Sequence, residues 1–169
     1  MPQWQLQSYS IRSQLPADVR HSSPWSSAGF SLPGLKKVPR ILEVLDLAVL
    51  GYLGEQLRPN MSMRDMQEQC SELFTDVSQN PARRSYTHRA QDQSNVSKCL
   101  TTSTVLYTHG RDRLVLPQEL LYFQGHSLDV RVPPGMKASA LRDLAGEGIC
   151  LPCLATLIYA LHHTDSLTV

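Results

Sequence analysis

Apolar side chains first recur at helical spacing between Arg40 and Leu57, where Ile41, Leu42, Leu45, Val49, Tyr52 and Leu53 form a stripe at i, i+3 and i+4. Pro39, with its fixed φ and missing N–H, suits the first turn of that helix. Ahead of it, residues 1–38 scatter Pro2, Pro16, Pro24 and Pro33 among Ser and Gln with neither a 3.6 nor a 2.0 period, which predicts an irregular arm. A second, shorter helix is expected over 63–73, because Ser62 can cap it, Asp65 follows three residues later, and Met66, Cys70 and Leu73 share a face. From Thr75 to Lys98 the chain is polar, and a loop is expected.

The pattern then shifts toward strands. Cys99 to Tyr107 is rich in Thr, Val and Leu, His109-Gly110-Arg111-Asp112 supplies a turn, and Arg113 to Leu116 is a second β-prone run, so a hairpin is predicted. Pro117 opens a helix over Gln118 to Gln124, with Glu119 near its positive end and Gly125 as its stop. After the linker Val132-Pro133-Pro134-Gly135, Ser139 can cap a helix through Leu144, Gly146-Glu147-Gly148 breaks it, and a last helix covers 149–162. The expected class is α+β and loop-rich. Its segments are an irregular arm at 1–38, a helical segment at 39–75, a mixed region at 76–135 and a helical region at 136–163.

Composition narrows the function. Charged residues make up only 18% of the 169, and net charge is +1, so no whole-molecule field draws the chain onto nucleic acid. The basic side is nonetheless twelve Arg against four Lys, and guanidinium groups fork onto phosphates and guanine edges. Local contact through Arg83-Arg84 with Arg89, or Arg111 with Arg113, is therefore open. The start MPQWQLQSYSIRSQL lacks the basic and apolar regions of a secretory signal, and a reducing compartment is expected for Cys70, Cys99, Cys150 and Cys153. The two most apolar windows, Ile41 to Leu53 and Ile149 to Leu161, are thirteen residues each, short of the roughly 20 that span a bilayer, and no membrane segment is expected. Cys150-x-x-Cys153 with His162-His163 lacks a second ligand pair at zinc-finger spacing, so no metal is expected.

Specific motifs lie in the second half. Arg113 to Gly125, RLVLPQELLYFQG, resembles the ninth sequence block of the cytosine-C5 DNA methyltransferases, R-x-L-T-x-x-E-x-x-x-L-Q-G-F. Arg113, Glu119, Gln124 and Gly125 fall at its offsets, while Leu116, Phe123 and His126 stand where the block has threonine, leucine and phenylalanine. Gly146 to Ile158 is similar to the tenth block, G-N-A/S-V-x-V-P-V-x-x-x-I, through Gly146, Ile149, Leu151, Pro152 and Ile158. Cys99-Leu100-Thr101-Thr102-Ser103 is similar to the T-L-T-T strand ahead of the ninth block, and Asp76-Val77-Ser78-Gln79 with Arg83 and Arg84 to the eighth.

The resemblance covers about residues 76–162. It implies the C-terminal portion of an S-adenosylmethionine-dependent methyltransferase fold, a small recognition region plus a C-terminal helix, without the Rossmann-like core. It assigns DNA contact to Gln79, Arg83, Arg84 and Arg113, motif structure to Glu119, Gln124, Gly125 and Pro152, and the cofactor side to Gly146, Glu147 and Gly148. The family has asparagine where Glu147 stands, and the acid removes an amide donor and adds negative charge. The family's glycine-rich turn, Pro-Cys nucleophile loop and E-N-V segment do not occur in residues 1–75. No catalytic residue is therefore expected here. Pro152-Cys153 imitates the nucleophile dipeptide, but its apolar helix predicts a buried, inert thiol.

The resemblance thus implies a truncated or split enzyme, inactive alone. S-adenosyl-L-methionine would bind only if a missing N-terminal half completed the site. Expected partners are DNA and a separate N-terminal catalytic subunit seated on helix 149–162, in a nucleus or nucleoid. Two other readings remain open: a small helical interaction module in which Arg40 to Leu57 packs on Ile149 to Leu161, and a DNA-binding remnant using Arg83, Arg84, Arg111 and Arg113.

Overall fold

The structure is a computed structural model that describes residues 1–58, 61–81, 87–89, 100–127 and 129–164. It is α+β, and the chain forms two compact units, residues 1–98 with 104–115 and residues 99–103 with 116–169.

In the first unit, helix α1 (Gln3–Arg12) rises from the segment expected to be irregular. Its last-turn Arg12 forks onto Glu43 of helix α2 (Pro39–Leu53), with Nε 2.6 Å from Oε1 and Nη2 2.9 Å from Oε2, and Ser8 donates to the same carboxylate. Burial alone would raise the Glu43 carboxyl, but Arg12 and Ser8 outweigh it and hold it below its ordinary value. The α2 stripe is wider than its sequence period suggested: Val44 to Leu50 are buried without a break. The helix ends at Leu53 rather than Leu57 because Gly54 adopts φ +51 and 54–56 tighten into a 3₁₀ turn. Helix α3 (Met63–Gln69) starts on the expected cap: Ser62 Oγ accepts the Asp65 N–H at 3.1 Å and donates to Asp65 Oδ2 at 2.7 Å.

Where a helix end and a loop were expected, Leu73–Asp76 is strand β1. Together with β2 (Thr87–Arg89), β3 (Leu106–Thr108) and β4 (Arg113–Leu114) it forms an antiparallel sheet in the order β2-β1-β3-β4. Thr75 lies opposite both Thr87 and Tyr107, and Tyr107 opposite Leu114. The predicted hairpin is present as β3 and β4, joined by a 3₁₀ turn at His109–Arg111 with Asp112 in the left-handed region.

The arm also supplies core. Trp25 is fully buried, stacks on Phe30 with ring centroids 3.7 Å apart, and meets the edge of His109 at 4.3 Å. Two buried or half-buried carboxylates hold the arm's backbone. Asp46 accepts the Trp25 and Ser26 N–H groups at 2.8 Å and Ser26 Oγ at 2.6 Å, and Asp112 accepts Ser31 N–H at 3.0 Å and Leu32 N–H at 3.2 Å.

The second unit contains α4 (Pro117–Phe123), α5 (Ala138–Glu147) and α6 (Leu151–Thr164). Cys99 to Ser103, expected to begin a strand, is a turn over Thr102 and Ser103 among its described residues. Buried apolar side chains here are few: Pro117, Leu120, Leu121, Leu141 and Ala145 among the described residues. By contrast α6 is exposed along nearly its whole length and carries no Asp, Glu, Lys or Arg. Residues 138–163 are long and apolar enough as one stretch to cross a membrane, which the two thirteen-residue windows did not foreshadow. That stretch bends at Gly148, which is extended at φ −68 and ψ 155, and α5 carries Arg142, Asp143 and Glu147. The 14 residues of α6 reach only about 21 Å against a hydrocarbon core of about 30 Å.

Candidate functional site

The motif residues of the second unit meet one another. Glu119, third residue of α4, accepts the Leu116 N–H on Oε2 at 2.8 Å and so satisfies one of the donors a helix start leaves open. After Phe123 the chain turns through Gln124 and Gly125, the latter at φ +88. A Cβ on Gly125 would stand 2.5 Å from Pro152 Cδ, so the turn lies directly on the first turn of α6. The Leu151 N–H donates to the Gln124 carbonyl at 2.8 Å and fixes the same junction. Gln124 is 6% exposed, and its Nε2 donates to the Ala145 carbonyl in the last turn of α5, where the helix itself offers no donor.

Gly146 closes the arrangement from the other side. A Cβ there would fall 2.2 Å from Thr102 N and 2.3 Å from the Thr101 carbonyl carbon. Both obstacles are backbone and cannot rotate away. Gly146→Ala is therefore expected to cost about 1–3 kcal/mol or more, whereas Gly148→Ala meets the Gln124 Oε1 at 3.0 Å, the end of a side chain, and should cost less. Amide hydrogen exchange over α4 and α5 checks this: protection should fall for Gly146→Ala and hold for Gly148→Ala.

These contacts bear on the cofactor-side positions. The space that the missing side chains of Gly146 and Gly148 leave is taken by this chain's own Thr101, Thr102 and Gln124, so the glycines permit packing and do not cradle a ligand. Glu147 is exposed at the end of α5 and carries a carboxylate instead of an amide. These residues do not fit an S-adenosylmethionine site. The Gln124 Oε1 is buried there with no hydrogen-bond partner among the described residues.

Of the positions that the resemblance assigns to DNA contact, Gln79 and Arg113 are among the described residues, and both belong to the first unit. Gln79 Nε2 donates to Asp76 Oδ2 at 3.1 Å, and the Gln79 carbonyl accepts Arg40 Nη1 at 2.6 Å, so both groups are engaged within the protein. Arg113 is half-buried on β4, with Nη1 2.9 Å from the Leu114 carbonyl, and β3 separates it from β1. Arg83 and Arg84 lie outside the described residues. Cys153 is exposed, contrary to the expected burial, while burial pushes the Cys70 thiol up to about 12.

Sequence reasoning missed a polar cluster in the first unit. Trp25 Nε1 donates to Tyr107 Oη at 3.1 Å, Tyr107 Oη donates to Asp112 Oδ1 at 2.5 Å, and His109 Nε2 lies 2.9 Å from Thr75 Oγ1. His109 is fully buried with Nδ1 unpartnered among the described residues, and burial pushes its pKa down to about 3. The available signal was the pair of rings at Tyr107 and His109, two positions apart where the β-prone run meets the turn. A cleft of about 350 Å³ opens in the same unit beside Val19, Met61 and Met66, but its charges, Asp18 and Arg58, are both on exposed residues. Among the described residues no group of three or more His, Cys, Asp or Glu could hold a metal ion.

Comparison of the chain with protein-family models, with curated proteins and with solved structures finds no match.

Proposed function

We propose that this chain is the recognition-side, C-terminal portion of a cytosine-C5 DNA methyltransferase, separated from the half that carries the nucleophile and the cofactor site. One observation carries the reading. The segments that resemble the ninth and tenth blocks and the strand before them pack on each other in one unit, through Gln124 on Ala145, Gly125 on Pro152 and Gly146 on Thr101–Thr102.

The bare α6 supports the same reading. An apolar helix without a charged face needs a neighbour on most of its circumference, and in this reading the neighbour is the cofactor-binding half. Methyl transfer to cytosine C5 requires a thiolate that attacks C6 of an extruded base. The motif residues supply none of that chemistry; they form a hinge turn and a packing face beside it. Glu147 makes even the completed site a poor one for the cofactor, and Glu147→Asn in the assembled pair should tighten its retention.

Co-purification tests the assembly. A catalytic half of this family, ended before its recognition region, should bind the full chain one to one, and the complex should be lost with Leu157→Glu combined with Leu161→Glu. If the two polypeptides elute separately while both remain folded, the reading fails.

A further inference from the structure

Helix α6 starts on a pair of thiols. The Cys150 carbonyl accepts the Leu154 N–H at 3.0 Å, the first hydrogen bond of this 14-residue helix, so Cys150 is its N-cap and Cys153 its third residue. Cys150 is half-buried, Cys153 is exposed, and neither is in a disulfide. An N-cap side chain reaches for the N–H of the second or third helical residue. The second is Pro152, which has none, so the N–H that Cys150 can cap is that of Cys153. Residues three apart on a helix have Cβ atoms about 5–6 Å apart, against about 3.5–4.5 Å in a disulfide. A shift of the N-cap residue closes that gap, and the exposed, strained bond that results is one that small thiols reduce readily.

The two residues between these cysteines are the ones that dock on the turn after α4. The Leu151 N–H donates to the Gln124 carbonyl, and Pro152 lies against Gly125. Gln124 Oε1, buried there without a partner among the described residues, stands 3.0 Å from the Cβ position of Gly148, two residues ahead of Cys150. Open buried acceptors are uncommon and recur at strained and redox-active places.

From this spacing, exposure and cap position we infer that Cys150 and Cys153 form a reversible dithiol–disulfide pair that exchanges with small disulfides of the glutathione class. Cys153, the exposed sulfur, attacks one sulfur of the small disulfide as a thiolate. The disulfide bond breaks, one small thiolate leaves, and a mixed disulfide stands on Cys153. Cys150 then attacks the Cys153 sulfur as a thiolate and expels the second small thiolate. The pair gives up two electrons and two protons, the small disulfide takes the electrons, and its two halves depart as thiols. An excess of the reduced thiol runs the steps backward. In a reducing compartment such a bond is a transient, redox-sensing one and not a structural cross-link. The inference rests on the entry to α6 and not on the methyltransferase reading.

The full chain, with and without Cys99→Ser, tests it in glutathione buffers of rising oxidised fraction, with acid quenching, alkylation and peptide mass spectrometry. Cys150 and Cys153 should pass into an intramolecular disulfide, lighter than the dithiol peptide by two hydrogens, and dithiothreitol should reverse it. The buried Cys70 should stay reduced. In Cys150→Ser the glutathione adduct on Cys153 should persist, because no thiol resolves it. In Cys153→Ser the adduct on Cys150 should form roughly tenfold more slowly than that one, since access limits exchange. Far-ultraviolet circular dichroism should be unchanged in both variants. Cysteines 150 and 153 that remain a dithiol in the most oxidising buffer overturn the inference. So do disulfides between chains in place of the intramolecular one, and an adduct in Cys150→Ser no longer-lived than in the parent. Each of these results leaves the co-purification test of the methyltransferase reading untouched.

Discussion

Trp25→Ala is expected to lower the unfolding free energy of the first unit by about 3–5 kcal/mol, the range for removing a fully buried large aromatic side chain. The indole is 0% exposed, stacked on Phe30 and set edge-on to His109 and Tyr107, so its loss leaves a void that three rings line. It also removes the donor to Tyr107 Oη and leaves that hydroxyl with Asp112 alone. The urea midpoint and near-ultraviolet circular dichroism measure the effect. If the arm were a loose appendage, Trp25→Ala would leave the midpoint within about 0.5 kcal/mol of the parent, as surface changes do.

Acid should unfold the same unit through His109. The imidazole is held neutral by burial, with a folded pKa of about 3, against about 6.5 in an unfolded chain. Above pH 6.5 neither state carries the proton and stability is complete. Between pH 6.5 and 3 the unfolded chain takes up a proton that the folded one refuses, so stability falls as pH falls, at up to about 1.4 kcal/mol per pH unit and on the order of 5 kcal/mol in all. Glu43, held below its ordinary value by Arg12 and Ser8 against its burial, adds a smaller loss in the same direction. Asp46, raised chiefly by burial, acts in the opposite sense. Urea midpoints between pH 7 and 4 should drop steeply for the parent and much less for His109→Gln, which retains a partner for Thr75. Equal slopes for the two proteins would assign the acid sensitivity elsewhere.

Local elements were legible in the sequence where short-range chemistry determines them. Pro39 and the α2 stripe, the Ser62–Asp65 cap, the turn at 109–112 and the start of α4 at Pro117 each follow from residues within a few positions, and each is present. Failures occurred where the deciding partner lies far along the chain. The arm has no period because its order comes from backbone N–H groups bound to Asp46 and Asp112, some 20 and 80 positions away. Strand β1 reads as the tail of a helix and a polar loop because Leu73–Asp76 gains its hydrogen bonds from β2 and β3. The spacing of Gln124, Gly125 and Gly146 was visible in the sequence, but their mutual contacts were not, since a glycine's role depends on what approaches it. Sequence likewise identified α6 as apolar without saying that this unit leaves it uncovered.

In the function proposed above, these residues form a recognition and packing portion of a methyltransferase and do not form a catalyst. Transfer of labelled methyl groups from S-adenosylmethionine to cytosine-containing DNA tests it most directly. The pure 169-residue chain is predicted to transfer none above the protein-free background, and Cys153→Ser to change nothing. Sustained transfer by the pure chain, abolished by Cys153→Ser, would contradict the account.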